Sequence, residues 1–393
     1  MELTTRPWIT ASVALAGASV IALTPTAPCP PEVHISAVAL TDSFDFITPW
    51  IDTFNNASSD TTELFDHFFQ APLPALQQVL VNQADYLDSF VQNPANIGDV
   101  LTQIGDNLQN TAQTMVLAGA PKDIVTATLP HTMEAYHLEV YNLLPFVLQD
   151  FLHITNPTEL QAITAVVNLM SSPPSGVLIG AAGPFVSPVV ELSNDIQNIL
   201  GTLSSTTPNF GAALSELINI PASLTNAFFN GATLNLSAIL PLLSQSGVLP
   251  SGIDFTYLGI AFGGLLTPGI TDGDYPNNLG IGGSLFNSLA FSLDKPLAVT
   301  LGGVPTGPLG ALENLSQILA DTLGWNTTGN PLTQLSFPLI PTDLATILST
   351  DLTTTLNNNL TGLAAALPTQ LSTTLLTELT TNIPHLLLSL IPF

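Results

Sequence analysis

Basic residues are nearly missing from this chain. Among 393 residues there are three, Arg6, Lys122 and Lys295, against 29 acids, and the formal net charge is −26. A protein so short of cations cannot neutralise a phosphate backbone, which excludes nucleic-acid binding. Docking on anionic lipid through a polybasic patch is excluded for the same reason. Charge of either sign is scarce: 8% of residues are charged, where ordinary soluble domains carry about 25%. Solubility therefore rests on Thr, Asn, Ser and Gln. The single cysteine, Cys29, rules out an intramolecular disulfide and a cysteine-rich metal site.

Catalytic signatures are missing too. No G-x-S-x-G occurs; the nearest string, Gly282-Gly283-Ser284-Leu285-Phe286, lacks its closing glycine, so no nucleophile elbow is supported. There is no P-loop and no HExxH, and Gly280-Ile281-Gly282 has neither the third glycine nor the βαβ setting of a dinucleotide site. His131, Glu134 and His137 are spaced i, i+3, i+6. Glu134-x-x-His137 matches half of a carboxylate-bridged dimetal motif, but the second copy is absent. The plainer reading is a surface carboxylate beside two helix-edge histidines. Asp272-Gly273-Asp274, with Asn277 and Asn278, offers oxygen ligands of the kind Ca²⁺ prefers, yet it lacks the EF-hand pattern and reads as a solvated turn. No catalytic, cofactor-binding or metal-ligating residue is assigned, no cofactor is implied, and the chain reads as non-enzymatic.

What is present begins with an export signal over residues 1–39. Arg6 precedes an uncharged run from Trp8 to Leu23, and Ala37-Val38-Ala39 supplies an A-x-A cleavage pattern. Pro25, Pro28, Pro30 and Pro31 end the run before the ~20 residues a membrane span needs. An uncleaved helical anchor and a lipoprotein modified at Cys29 are the alternatives.

The rest reads as mainly α. Residues 40–170 form a helical region packed as a bundle. Val79, Leu80, Leu87, Phe90 and Val91 share one stripe, and Ile97, Val100, Leu101, Ile104 and Leu108 another. A third helix is expected from Pro130, kinked or ended at Pro145, and a fourth follows Asn156-Pro157. Residues 171–310 are a Gly/Pro-rich mixed region. Two short helices are expected there, near 188–202 and 208–219, with strand-like runs at Thr233–Ala238, Ile253–Phe262, Leu285–Leu293 and Leu297–Leu301. These runs predict a small antiparallel sheet or a pair of hairpins.

Residues 311–393 return to helical leucine spacing. From Leu348 to Leu360 a leucine stands at every fourth position with Thr and Asn between. A barrel strand would then show Thr or Asn at every second lipid-facing position, where a continuous apolar band is needed. An amphipathic helix is the favoured reading, with a disordered tail as the rival.

Four segments carry a resemblance: "RPWITASVALAGASVIALTP" (6–25), "FGGLLTPG" (262–269), "GIGGSLFNSL" (280–289) and "VPTGPLGAL" (304–312). Together they resemble a family of exported mycobacterial envelope proteins labelled outer membrane porins of the GjpA type. The resemblance implies an outer-membrane or cell-surface location and a passive channel for small solutes. The implied partners are outer-membrane lipid or other envelope components, with an oligomer expected if a pore forms. The glycines in these segments suit tight turns or close backbone approach, and no catalytic residue transfers. The sequence shows about four strand-like runs, whereas a single-chain barrel needs at least eight. A secreted structural or host-interaction protein without a channel is the alternative reading.

Overall fold

Helix starts are written with proline and asparagine. The computed structural model describes residues 45–245, 253–270, 281–295, 298–327 and 329–335. The export signal, the Asp272–Asn278 loop and the Leu348–Leu363 repeat lie outside them. The first helices are α1 (Thr48–Gln70), α2 (Pro74–Gln92), α3 (Ile97–Val116), α4 (Lys122–Thr128) and α5 (Ala135–Phe146). They are followed by α6 (Pro157–Met170), α7 (Pro173–Ser204), α8 (Phe210–Asn230), the short α9 (Leu240–Gln245) and α10 (Pro308–Thr322). Proline stands in the first turn of α1, α2, α6, α7 and α10, where its missing N–H has no partner to lose. The Asn156 and Asn209 side chains accept hydrogen bonds from backbone N–H groups in the first turns of α6 and α8.

The mainly-α architecture with a small antiparallel sheet is as expected, and several boundaries differ. The third expected helix starts at Ala135, because Leu129–His131 forms a 3₁₀ turn instead. Near Pro145, where a kink or an end was expected, the α-helix stops at Phe146 and passes into a π turn over Val147–Phe151. The two short central helices are in fact long. α7 runs through Pro184 and Pro188, and α8 through Pro221. An interior proline costs about 3 kcal/mol, so packing must hold α7 together. Its buried residues include Gly176, Gly180, Gly183, Ser187 and Val190, which all fall on one face.

The sheet is β1 (Ala232–Asn235), β2 (Asp254–Phe262), β3 (Leu289–Lys295) and β4 (Val299–Leu301), antiparallel throughout and in sequence order. Thr233 pairs with Ala261, Gly259 with Ala290, and Ser292 with Thr300. Leu285–Ser288, expected as strand, is a turn. The Ser284 hydroxyl oxygen accepts from Asn287 N (3.2 Å), and Phe286 N donates to Met170 O (2.9 Å).

Three of the four segments that carry the resemblance meet behind α7. Ile270 N donates to Gly282 O, Val304 N to Asn287 O, and Gly307 N to Thr267 O. A Cβ on Gly176 would sit 2.0 Å from Gly283 O, one on Gly180 2.8 Å from Gly307 O, and one on Gly183 2.1 Å from Gly263 O. The glycine face of α7 thus touches loop backbone directly. Elsewhere Leu117, Val125, Leu129, Met133 and Leu138 form a buried cluster against Phe286.

Candidate functional site

The histidines and glutamate singled out in the sequence are structural. Glu134 is the N-cap of α5, accepting from Tyr136 N and His137 N (3.1 Å each). It is buried rather than on the surface. His137 is fully buried, with Nδ1 2.7 Å from Glu134 Oε1 and Nε2 2.9 Å from Leu289 O. Since a carbonyl only accepts, Nε2 donates, and the ring ties the start of α5 to the first residue of β3. His131 is buried and its neutral form is favoured: burial lowers its pKa to about 4. Its backbone carbonyl accepts from Asn314 Nδ2 (3.0 Å). No group of three or more metal-ligating side chains occurs among the described residues. Ser284 is buried and caps its own turn.

A cleft of about 370 Å³ lies elsewhere, between α1, the start of α2 and α10. Thr61, Leu64, Phe65 and Phe68 form its wall on α1, spaced i, i+3, i+4, i+7. Leu309, Leu312, Glu313 and Ser316 repeat that spacing on α10. Both are stripes of the kind that one helix presents to another; here they face a gap. Leu73, Pro74 and Leu266 complete the lining. Leu73 takes φ +49°, a left-handed conformation that costs a leucine roughly 1–3 kcal/mol, so strain sits at the cleft's edge.

Glu313 is the one ionisable group in this lining. Its Oε1 is buried with no hydrogen-bond partner among the described residues, and burial pushes its pKa up to about 7. Thr61 donates its hydroxyl to Ala57 O, while the Ser316 oxygen accepts from Ala75 N (3.3 Å) and keeps its own proton free to donate. Chemically the cleft is an apolar trough with a carboxyl and a hydroxyl on one wall.

A second feature is the outer side of the helices. On α7, Leu178, Phe185, Val189, Leu192, Ile196 and Leu200 are exposed, Phe185 by 78%. At 100° per residue this stripe lies opposite the glycine face. On α1, Trp50, Phe54, Phe65 and Phe69 are exposed along one side, with Trp50 stacked on Phe54 and Phe65 on Phe69. α8 packs against both helices. Contiguous apolar exposure of this kind marks an interaction surface.

Neither feature was expected from the sequence. The i, i+3, i+4, i+7 pattern ending in Glu313 and Ser316 was available as a signal. No family model, characterised protein or solved structure matches the chain.

Proposed function

We propose that this chain is an exported, non-enzymatic protein of the cell envelope that holds to lipid through the outer sides of α1 and α7. One observation carries the reading: α7 turns its glycine face to loop backbone and an exposed stripe of Leu, Phe, Val and Ile the other way. By length and composition α7 would suffice to cross a bilayer. With one face closed by loops, it has a single face left for lipid. The resemblance to outer membrane porins of the GjpA type agrees with an envelope location. A solute channel, which that resemblance implies, would have to draw on several copies or on residues beyond those described. Four strands in an open sheet are half of the smallest membrane barrel.

Flotation of the purified protein with vesicles of zwitterionic lipid tests the proposal. The protein is expected to rise with the vesicles, and Leu178→Asp combined with Phe185→Asp is expected to leave it at the bottom of the gradient. Equal flotation of the double variant would remove α7 as the contact. An unchanged distribution with and without vesicles, together with self-association in sedimentation, would replace lipid by a second copy of the chain. Planar-bilayer recording addresses the channel: conductance steps would extend the proposal to solute passage.

A further inference from the structure

We propose that the cleft between α1 and α10 binds the aliphatic tail of one single-chain amphiphile, whose uncharged hydroxyl or ester head is hydrogen-bonded by the Glu313 carboxyl. The proposal does not rest on the lipid-facing stripe of α7, which lies on another helix; of the exposed side of α1 it shares Phe65 alone.

Size, shape and chemistry point the same way. A cavity of about 370 Å³ falls within the roughly 300–1,000 Å³ of small-molecule sites, which are mostly apolar with a few placed polar groups. Leu64, Phe68, Leu309 and Leu312 supply the apolar surface. Two helix stripes that would ordinarily interdigitate instead leave room between them, and an alkyl chain is the occupant that restores their burial. The head group follows from Glu313. Its carboxyl is the one ionisable group in the lining, set among leucine and phenylalanine side chains, and an apolar setting of that kind favours the uncharged acid, which can donate a hydrogen bond. Glu313 is only half-buried, and a ligand oxygen at the accessible side of its carboxyl would accept from the protonated acid and from the Ser316 hydroxyl, which also lines the cleft. A carboxylate head would bring a second negative charge into the same apolar space, which is unfavourable. An ammonium head is the competing possibility for an unpaired acid, and the test separates the two.

Calorimetric titration of the full-length protein would use dodecanol, methyl laurate, dodecylamine and laurate, each below its aggregation limit. Saturable one-to-one binding of dodecanol and methyl laurate is expected, with laurate weaker by about tenfold or more. Leu309→Trp, which fills the cleft from a half-exposed position, is expected to weaken dodecanol binding at least ~10-fold without lowering the melting temperature. Glu313→Leu should weaken it ~5–30-fold, as loss of one or two kcal/mol implies, and Glu313→Gln, still a donor, far less. The Leu178→Asp, Phe185→Asp variant should bind as the parent does, so failure of the lipid-surface reading and failure of this one are distinguishable. Absence of saturable binding, or equal affinity in Leu309→Trp, overturns the proposal. Tighter binding of dodecylamine that is lost in Glu313→Gln overturns the uncharged head.

Discussion

A carboxyl set among leucine and phenylalanine side chains must give up its charge or find a partner, and Glu313 has no partner at Oε1 among the described residues. Burial raises its pKa from 4.5 to about 7. Between those values the folded chain binds more protons than the unfolded one, so this group's contribution to stability falls as pH rises. A shift of that size corresponds to about 3 kcal/mol for a fully enclosed group. Glu313 is only partly enclosed, and solvent screening reduces the figure to about 1–2 kcal/mol. Glu313→Gln is therefore expected to stabilise the protein by that amount at alkaline pH and by nothing in acid, as read by denaturant unfolding at both ends of the range. Asp60, raised to about 6 by burial and then by repulsion from Glu63, acts in the same direction. His131 opposes them. Its pKa is lowered to about 4 by burial, so its contribution is lost as pH falls below the ordinary histidine value. Comparing parent and variant at each pH isolates Glu313 from both. An equal effect of the substitution across the range would show that the carboxyl is better hydrated than its surroundings indicate.

At the scale of the element, α7 holds two prolines inside a helix because its glycine face is so closely fitted. Gly176→Ala and Gly183→Ala would drive a methyl group into the carbonyls of Gly283 and Gly263. Neither neighbour is a flexible side chain that can step aside. Each substitution is expected to cost at least the 1–3 kcal/mol of ordinary overpacking. Gly201 lies on the same helix with nothing within 4 Å of its Cβ position, so Gly201→Ala should instead stabilise by about 0.5–1 kcal/mol. Chemical denaturation of the three variants checks this; equal effects at all three positions would dismiss the fitted face.

The same helix marks how far the sequence was legible. α2, α3 and α6 announce themselves by apolar spacing, and Asn156-Pro157 gives the start of α6 outright. The four strands were legible as short runs rich in leucine and phenylalanine, although the third was expected to begin four residues too early. α7 was not, because Pro184 and Pro188 are local stop signals that only tertiary contact overrides, and the contact partners lie about 80–130 residues away in Gly263, Gly283 and Gly307. Glu134 and His137 were assigned no metal, but their reading as surface and helix-edge residues was wrong for a related reason, since the partners that bury them lie far along the chain in Asn287 and Leu289. Their spacing is that of a half metal site, but it is also the spacing that lets a helix cap reach a ring one turn on. The cleft was hidden because it depends on α1 and α10 failing to close on each other, which neither stripe reveals alone.

At the scale of the molecule, 29 acids face three Lys and Arg residues, and that imbalance governs how an apolar surface can approach lipid. A protein docked by basic residues loses affinity as salt is added, because counterions compete for the bilayer's charge. Here the attraction is apolar, carried by residues such as Phe54, Phe185 and Val189, and the electrostatic term is repulsive wherever the bilayer is anionic. Salt must then act in the opposite sense. The Debye length falls from about 30 Å at 0.01 M to about 3 Å at 1 M, which removes the repulsion while leaving apolar burial intact or slightly favoured. Flotation on anionic vesicles should accordingly be poor at low ionic strength and rise steadily with sodium chloride, whereas flotation on zwitterionic vesicles should change little. Lys122 and Lys295 are too few to reverse this. Measured binding to anionic vesicles that instead declines with salt would mean that a local cationic contact outweighs a net charge of −26, and the apolar faces of α1 and α7 would no longer be needed to explain lipid binding.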